Sequence, residues 1–197
     1  MSCNKVIIEK DVSEVVQNNY YWFKTGFNDD DISKIIKISE NYEFNTGTTF
    51  SGIDENYRRS KVKWLSYNDD SKWLYDKIFK YATEANNNCY KFRLHYLQDS
   101  LQYTFYDSSN EGKYDWHLDI GKGSNSLRKL SGVILLNDTS EFEGGLLQMM
   151  TGSKPITIPL EKGSVVFFPS FILHRVTPVT KGKRISLVFW IGGDHYI

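Results

Sequence analysis

The second half of the chain is a succession of short β-forming runs separated by turn signals, and this pattern constrains the fold more than any other feature. Turn-forming pairs such as 144–145, 162–163 and 181–182 each contain glycine and divide the runs. The eight runs cover residues 90–96, 101–106, 130–136, 145–149, 156–159, 165–169, 172–176 and 184–191. Short strands at this spacing predict a β-sandwich or a closed jelly roll.

The first half of the chain predicts two helices in front of these strands. Asp29 or Asp30 can cap a helix that runs to about Glu40. A second helix is expected from about Ser71 to Ala85, because its apolar residues follow a 3.6-residue period. We therefore expect a mainly β protein of the α+β class, in which the two helices brace one sheet.

The charge balance excludes several classes of protein. Lys and Arg total 24 and Asp and Glu total 24, so the net charge is zero and gives no sign of a polyanion or membrane-surface binder. The basic stretch 58–63 is predicted to be a solvated edge rather than a binding patch. Two cysteines, Cys3 and Cys89, do not make a disulfide framework. With no secretory signal and no long apolar stretch, a soluble cytoplasmic protein is expected.

Three residues have the types and spacing of a metal site. His117 and Asp119 are two residues apart, so on a strand their side chains project from the same face. His174 taken alone is better interpreted as a core histidine with one satisfied hydrogen bond. Two histidines and one carboxylate together form the ligand set of the non-haem Fe(II) facial triad, which leaves three coordination positions open.

Arg184 is a candidate anion site on the last predicted strand. Its neighbours 185 and 187–190 are apolar on both faces, which predicts that Arg184 is buried and needs an anion. A guanidinium binds a carboxylate through two hydrogen bonds, and Ser186 on the same face adds a third contact. The link 177–183 is interpreted as a tight connection between antiparallel neighbours.

The motifs in this order resemble one enzyme family. The chain is similar to Fe(II)- and 2-oxoglutarate-dependent dioxygenases of the prolyl-4-hydroxylase-like branch, and within it to PKHD-type hydroxylases. The resemblance covers roughly residues 92–193. The segments that carry it are 102–106, 112–119, 128–131, 143–146, 163–169, 174–179, 182–186 and Trp190.

The resemblance implies a fold, an activity and a set of site residues. The fold is a double-stranded β-helix, which is a cupin-like jelly roll. The implied metal ligands are His117, Asp119 and His174. The implied ligand of the distal carboxylate of 2-oxoglutarate is Arg184, with Ser186 and Tyr106 as helpers. Catalytic roles are assigned to His117, Asp119, His174 and Arg184.

The implied reaction is hydroxylation of an unactivated C–H bond, coupled to oxidative decarboxylation of 2-oxoglutarate to succinate and CO₂. Fe(II), 2-oxoglutarate and O₂ are the implied cofactors and cosubstrates, with ascorbate as a further reductant. The substrate class is a peptidyl residue such as proline, or an amino-acid-like small molecule. We expect residues 1–197 to form one dioxygenase domain, with supporting elements in 1–90 and the jelly-roll catalytic core in 91–193.

Further residues are candidates for the substrate side of the site. The candidates for substrate contact are Arg128, Tyr114 and Trp116. The aromatic residues expected to keep water out are Trp116, Phe168, Phe171 and Trp190. Leu135 stands where many prolyl hydroxylases have a tyrosine, so the cosubstrate pocket must differ from theirs.

Two alternatives belong to different functional classes. A nucleic-acid demethylase of the same superfamily usually carries an additional arginine beyond the cosubstrate arginine, and none follows Arg184. A non-catalytic jelly-roll binding module needs neither the three candidate metal ligands nor Arg184. Both alternatives are therefore less favoured than a hydroxylase.

Overall fold

Two antiparallel sheets face each other in the computed structural model, which describes residues 19–49, 51–97 and 99–196. The strands are β1 (Tyr21–Phe23), β2 (Asn45–Thr46), β3 (Arg58–Arg59), β4 (Lys61–Leu65), β5 (Leu94–Leu97), β6 (Leu101–Asp107), β7 (Lys113–His117), β8 (Arg128–Leu135), β9 (Phe142–Gly144), β10 (Leu147–Met150), β11 (Pro155–Thr157), β12 (Val165–Pro169), β13 (His174–Val176) and β14 (Val179–Gly193). The α-helices are α1 (Asp29–Ser39) and α2 (Lys72–Ala85). Cys3 lies outside the described residues.

The two sheets have unequal sizes. The larger one, here called the major sheet, has the order β1-β12-β8-β14-β6-β4-β2, with β5 and β9 pairing with the two ends of β14. The smaller one, here called the minor sheet, has the order β11-β10-β13-β7-β3. All of these pairs are antiparallel. The predicted jelly-roll class is confirmed by this two-sheet arrangement.

Both helices begin close to the predicted positions. The N-cap of α1 is Asn28 rather than Asp29 or Asp30, because Asn28 and Asp31 form a reciprocal capping box. Each side chain of this pair accepts a hydrogen bond from the other residue's backbone N–H. The second helix begins one residue after Ser71, and the Ser71 hydroxyl donates to the backbone oxygen of Ser66.

One apolar cluster joins the helices to the major sheet. It contains Ile35 of α1 and Ile78 of α2 together with Leu101, Phe167 and Phe189 of the strands. All five side chains are fully buried. The main core therefore lies between the helices and the major sheet, while a second apolar cluster, which includes Phe168 of the major sheet and Met149 of the minor sheet, joins the two sheets. Within the described residues, neither helix is long and apolar enough to span a bilayer.

The predicted tight connection over 177–183 is wrong. The strand β14 already begins at Val179, and residues 179–182 pair with β9. The preceding strand β13 pairs with β10 and β7 in the minor sheet, so β13 and β14 are not neighbours. The segment instead carries the chain from the minor sheet to the major sheet.

The predicted solvated edge over 58–63 is also wrong at Arg58, which is buried. The strand β3 pairs with β7 of the minor sheet, whereas β4 pairs with β6 of the major sheet. The chain therefore changes sheets at Ser60, and this crossing places Arg58 between them. Lys61 is exposed, as the prediction expected.

Candidate active site

The structure brings the three predicted metal ligands together. His117 is the last residue of β7 and His174 is the first residue of β13, and the two face each other across the antiparallel pair. Asp119 follows two residues after His117. One ligand atom from each residue lies within 4.8 Å of the others. All three side chains are at most about one tenth exposed.

Asp119 reaches this position from beyond the end of β7 rather than from the strand itself. Its backbone N–H donates to the Ser170 oxygen at 3.0 Å. The Ser131 hydroxyl donates to Asp119 Oδ2 at 2.6 Å, and the Ser170 hydroxyl lies 3.0 Å from Ser131 Oγ. Sequence reasoning missed these two serines. The available signal was a hydroxyl in the otherwise apolar run 130–136.

Backbone carbonyls orient both imidazole rings. His117 Nδ1 lies 2.7 Å from the Asp115 oxygen, and His174 Nδ1 lies 2.8 Å from the Ile172 oxygen. In a neutral ring, Nδ1–H donates and the Nε2 lone pair is free to bind a metal. The two Nε2 atoms lie 3.6 Å and 3.4 Å from the Asp119 carboxylate oxygens.

The electrostatics favour neutral imidazole beside an ionised carboxylate. Burial, together with the nearby His174, lowers the pKa of His117 to about 3. Burial alone would raise the pKa of Asp119, but His174, His117 and the Ser131 hydrogen bond hold that pKa below its usual value. Two imidazoles and one carboxylate on one side of an ion suit Fe(II) and leave coordination positions open. The donor set therefore fits the metal that the sequence predicts.

Arg184 lies on β14 with only 2% of its surface exposed. Its Nη1 donates to Ser186 Oγ at 2.8 Å, whereas its buried Nη2 has no hydrogen-bond partner. No carboxylate of the described residues makes an ion pair with it. A buried guanidinium in this state needs an anion, since burying an unpaired charge is costly. The unsatisfied Nη2 fits a carboxylate of 2-oxoglutarate.

Two neighbours shape the space around Arg184. The Tyr106 ring centre lies 5.6 Å from the guanidinium carbon, and burial raises the pKa of Tyr106 so that its hydroxyl keeps its proton. Gly145 has φ +60° and borders the arginine stem, where a Cβ would lie 2.8 Å from Arg184 Cδ. A side chain at residue 145 would therefore be strained and would crowd the arginine.

One cavity of about 470 Å³ contains both the metal-ligand trio and Arg184. Among the predicted substrate contacts, Arg128 and Tyr114 line this cavity. Trp116 does not, because its ring packs under the Arg175 guanidinium. Arg128 stacks over Trp190 at 3.9 Å and donates to the Asp99 carboxylate.

The predicted aromatic wall is only half correct. Phe168 and Trp190 line the cavity, whereas Trp116 and Phe171 do not. Phe171 is half exposed and contacts Tyr196 instead. Strand alternation places Phe168 of β12 and Trp190 of β14 on the cavity side, but Phe171 lies in the turn after β12, where that alternation no longer applies.

Comparison with protein families gives a match over the jelly-roll half of the chain. The model described as the 2OG-Fe(II) oxygenase superfamily matches residues 101–192. This range contains all three candidate metal ligands and Arg184.

Curated relatives are PKHD-type hydroxylases. The one from Hyphomonas neptunium is 43% identical over 88 residues, which cover 42% of this chain and 39% of the relative. The one from Synechococcus sp. (strain CC9902) is 40% identical over 80 residues, covering 40% of this chain and 35% of the relative. The chain thus spans well under half the length of these relatives. A longer match, to the Colwellia psychrerythraea protein, is 25% identical and covers 81% of this chain and 72% of the relative.

Solved structures share the fold. A Pseudomonas putida prolyl-4-hydroxylase aligns with a TM-score of 0.71 and 18% identity over 92% of this chain and 96% of its own. A Trichoplax adhaerens prolyl hydroxylase, solved in complex with a hypoxia inducible factor peptide fragment, aligns with a TM-score of 0.73 and 14% identity over 95% and 96%. At these identities the likeness shows the fold alone.

Proposed function

From the match of residues 101–192 to the 2OG-Fe(II) oxygenase superfamily, we propose that this chain is an Fe(II)- and 2-oxoglutarate-dependent hydroxylase of the prolyl-4-hydroxylase-like branch. One O₂ and one 2-oxoglutarate are consumed with the substrate C–H bond, and the products are succinate, CO₂ and the C–OH group. The single observation that carries the proposal is Arg184, a buried guanidinium with an unsatisfied Nη2 in the same cavity as the ligand trio.

His117, Asp119 and His174 would hold Fe(II). The bound metal supplies the activation of O₂ and the oxidising power that breaks the C–H bond. The chain supplies the orientation of the ligands, since Nδ1 of each histidine is held by a backbone oxygen and the Asp119 carboxylate is held by Ser131. These contacts keep the Nε2 lone pairs and the carboxylate directed at one point.

Arg184 would bind the distal carboxylate of 2-oxoglutarate. Ser186 Oγ already accepts a hydrogen bond from Arg184 Nη1, and the unpaired Nη2 is free to donate to the carboxylate. The protonated Tyr106 hydroxyl adds a donor for the same carboxylate. Leu135, which stands where many prolyl hydroxylases have a tyrosine, is buried and does not line the cavity.

The substrate proposal keeps both predicted classes, a peptidyl residue such as proline and an amino-acid-like small molecule. Prolyl hydroxylases with this fold include one solved with a peptide fragment, which supports the first class. We take residues 1–197 as one catalytic domain, with O₂ as cosubstrate and ascorbate as an accessory reductant. The balanced charge of the chain gives no support to a nucleic-acid substrate.

The test is an anaerobic titration of the protein with Fe(II) and 2-oxoglutarate, followed through the weak visible metal-to-ligand charge-transfer band. The wild type should form the band with one Fe(II) and one 2-oxoglutarate per chain. Asp119→Ala should lose it, and Arg184→Gln should raise the Kd of 2-oxoglutarate by about 100-fold because a hydrogen bond between charged groups is lost.

Arg59→Gln is the matched control. Arg59 is a partly exposed arginine paired with Glu111 at 3.3 Å, and it does not line the cavity. This variant should titrate like the wild type. A wild-type protein that binds Fe(II) but forms no band with 2-oxoglutarate would overturn the proposed cosubstrate. A protein that binds no Fe(II) at all would overturn the metal site.

A further inference from the structure

Arg58 is a second buried arginine in the cavity, and it is only 6% exposed. Its three nitrogens donate to neutral acceptors, each at 2.8 Å. Nε donates to Ser60 Oγ, Nη1 to the Thr48 backbone oxygen and Nη2 to Gln102 Oε1. These contacts orient the planar guanidinium but leave its charge uncompensated.

Two other arginines near the site have carboxylate partners. Arg128 donates to Asp99 Oδ2 at 2.6 Å, and Arg59 lies 3.3 Å from Glu111 Oε2. No carboxylate of residues 19–49, 51–97 and 99–196 makes an ion pair with Arg58. A cation that is buried among neutral groups is costly unless an anion joins it.

In a site loaded with Fe(II) and 2-oxoglutarate, the charge of Arg58 has no counterpart. The two positive charges of Fe(II) and the one of Arg184 balance three negative charges. These are the charges of the Asp119 carboxylate and of the two carboxylates of 2-oxoglutarate. Histidine binds a metal as the neutral imidazole, so His117 and His174 add no charge to the loaded site. Lys122 lies at the exposed rim, where water screens its charge. One buried positive charge therefore remains without a partner.

Arg58 is also close to the reacting centre. The Tyr114 ring lies 4.4 Å from the Arg58 guanidinium carbon, and the same ring stacks on the His117 ring at 3.5 Å between centroids. One aromatic ring thus links Arg58 to a candidate metal ligand. A group bound at Arg58 would lie within a small molecule's length of the metal.

We propose that Arg58 binds a carboxylate of the substrate to be hydroxylated, an inference that rests on the proposed function. The carboxylate is the free carboxylate of an amino-acid-like molecule or an Asp or Glu side chain of a peptide. A single remaining charge matches one carboxylate, whereas a phosphate dianion would exceed it. The planar guanidinium fits the two oxygens of a carboxylate.

The test measures binding rather than turnover. The anaerobic Fe(II)·2-oxoglutarate complex is titrated calorimetrically with two sets of matched compounds. One set contains N-acetyl amino acids as free acids and as amides. The other contains proline-centred peptides flanked by Asp or Glu, or by Asn or Gln. In at least one set the acids should bind about tenfold more tightly than the matched amides, because hydrogen bonds to charged groups are lost in the amides. The set that discriminates identifies the source of the carboxylate.

Variants assign this discrimination to Arg58. Arg58→Gln should abolish the preference for acids, and its Kd for 2-oxoglutarate should stay within about threefold of wild type, unlike that of Arg184→Gln. Arg58→Lys, which keeps the charge without the planar fork, should retain part of the preference. Arg59→Gln, which removes a charge from the adjacent residue, should retain all of it.

Three outcomes would overturn this inference. They are the absence of any wild-type preference for acids, a preference that persists in Arg58→Gln, and a loss of 2-oxoglutarate affinity in Arg58→Gln as large as in Arg184→Gln. The visible band separates these outcomes from failure of the proposed function, because it must form in the wild type before any compound is added. If Arg58→Gln does not fold, the wild-type titrations and Arg58→Lys still decide the question.

Discussion

The two faces of the major sheet differ in chemistry around the cavity, although they are built from the same strands. On β6, Leu101 and Tyr103 belong to the apolar cluster under the helices. Gln102, Thr104 and Tyr106 alternate with them and line the cavity. On β6 the outer face, toward the helices, therefore contributes stability through apolar burial, and the inner face, toward the minor sheet, carries polar groups that line the cavity.

The central strand β14 repeats this division. Leu187, Phe189 and Ile191 are fully buried in the apolar cluster, while Arg184 and Ser186 face the cavity. Packing of this apolar layer fixes the backbone of β14 and so holds the Arg184 side chain in the cavity. The comparison predicts that changes on the inner face alter binding and chemistry, whereas changes on the outer face alter stability.

The largest effect is expected from a histidine on the cavity side of β13. His174→Ala removes one of three candidate ligands, so Fe(II) should be lost and succinate formation should fall by about 1,000-fold or more, as for loss of a group that acts as part of a unit. Metal analysis and a succinate assay measure this. Arg175→Ala is the control, because Arg175 is the next residue and contacts Gln148 and Trp116 outside the cavity.

A substitution on the outer face should have the complementary effect. Phe189 is fully buried and packs edge-on against Phe167 at 5.6 Å between ring centres. Phe189→Ala should lower the free energy of unfolding by about 3 to 5 kcal/mol, through lost burial and the cavity left behind. Urea denaturation measures this change. Below the unfolding transition the Kd of 2-oxoglutarate should match that of the wild type. A large change in that Kd would contradict the assignment of stability to the outer face and binding to the inner face.

Much of this division could be predicted from the sequence, because strand alternation is a local property. The run 165–169 coincides with β12, and the apolar flanks of Arg184 correctly indicate its burial. The error in the predicted tight connection over 177–183 has a non-local cause. Which sheet a strand joins depends on partners far along the chain, and local turn signals do not specify them.

Arg58 shows the same limit on the side of function. It stands in a stretch with three further charged residues, Arg59, Lys61 and Lys63, so the local pattern indicates solvent exposure. The burial of Arg58 arises because β3 and β4 join different sheets on either side of Ser60. Likewise the trio of metal ligands could be named from residue types, but the contacts of Ser131 and Ser170 with Asp119 required the packed structure.

Ser131 tests whether the inner face positions ligands as well as supplying them. Ser131→Ala removes the hydroxyl that donates to Asp119 Oδ2 at 2.6 Å. The affinity for Fe(II) should fall by about 10- to 100-fold, as is typical when a partner of a metal ligand is lost. Competition with a metal-sensitive dye measures this affinity. Ser126→Ala, at a partly buried serine in the short 3-10 helix before β8, should leave it unchanged, and equal losses in both variants would refute a positioning role.

The smallest effect is expected where the two helices of the outer layer meet. Lys77 Nζ of α2 lies 2.6 Å from Asp31 Oδ2 of α1. Partial burial would raise the pKa of Asp31, but the hydrogen bond from Lys77, together with the helix cap, lowers it below its usual value. A carboxyl with a lowered pKa in the folded state stabilises the protein above its unfolded pKa of about 4, and that contribution is lost as the pH falls through the folded pKa.

Asp31→Asn keeps an oxygen for the helix cap but removes the charge, so at pH 7 it should cost about 0.5 to 1 kcal/mol, in the range of partly exposed ion pairs. Urea denaturation at pH 7 and at pH 3 measures the cost, and the gap between variant and wild type should shrink at the lower pH. Lys77→Met removes the same pair from the other side and should show the same loss of pH dependence. A gap that stays constant with pH would mean that the Asp31 charge contributes nothing. The variant would then act through the cap alone, and the packing of the outer layer would depend on its apolar contacts and not on this ion pair.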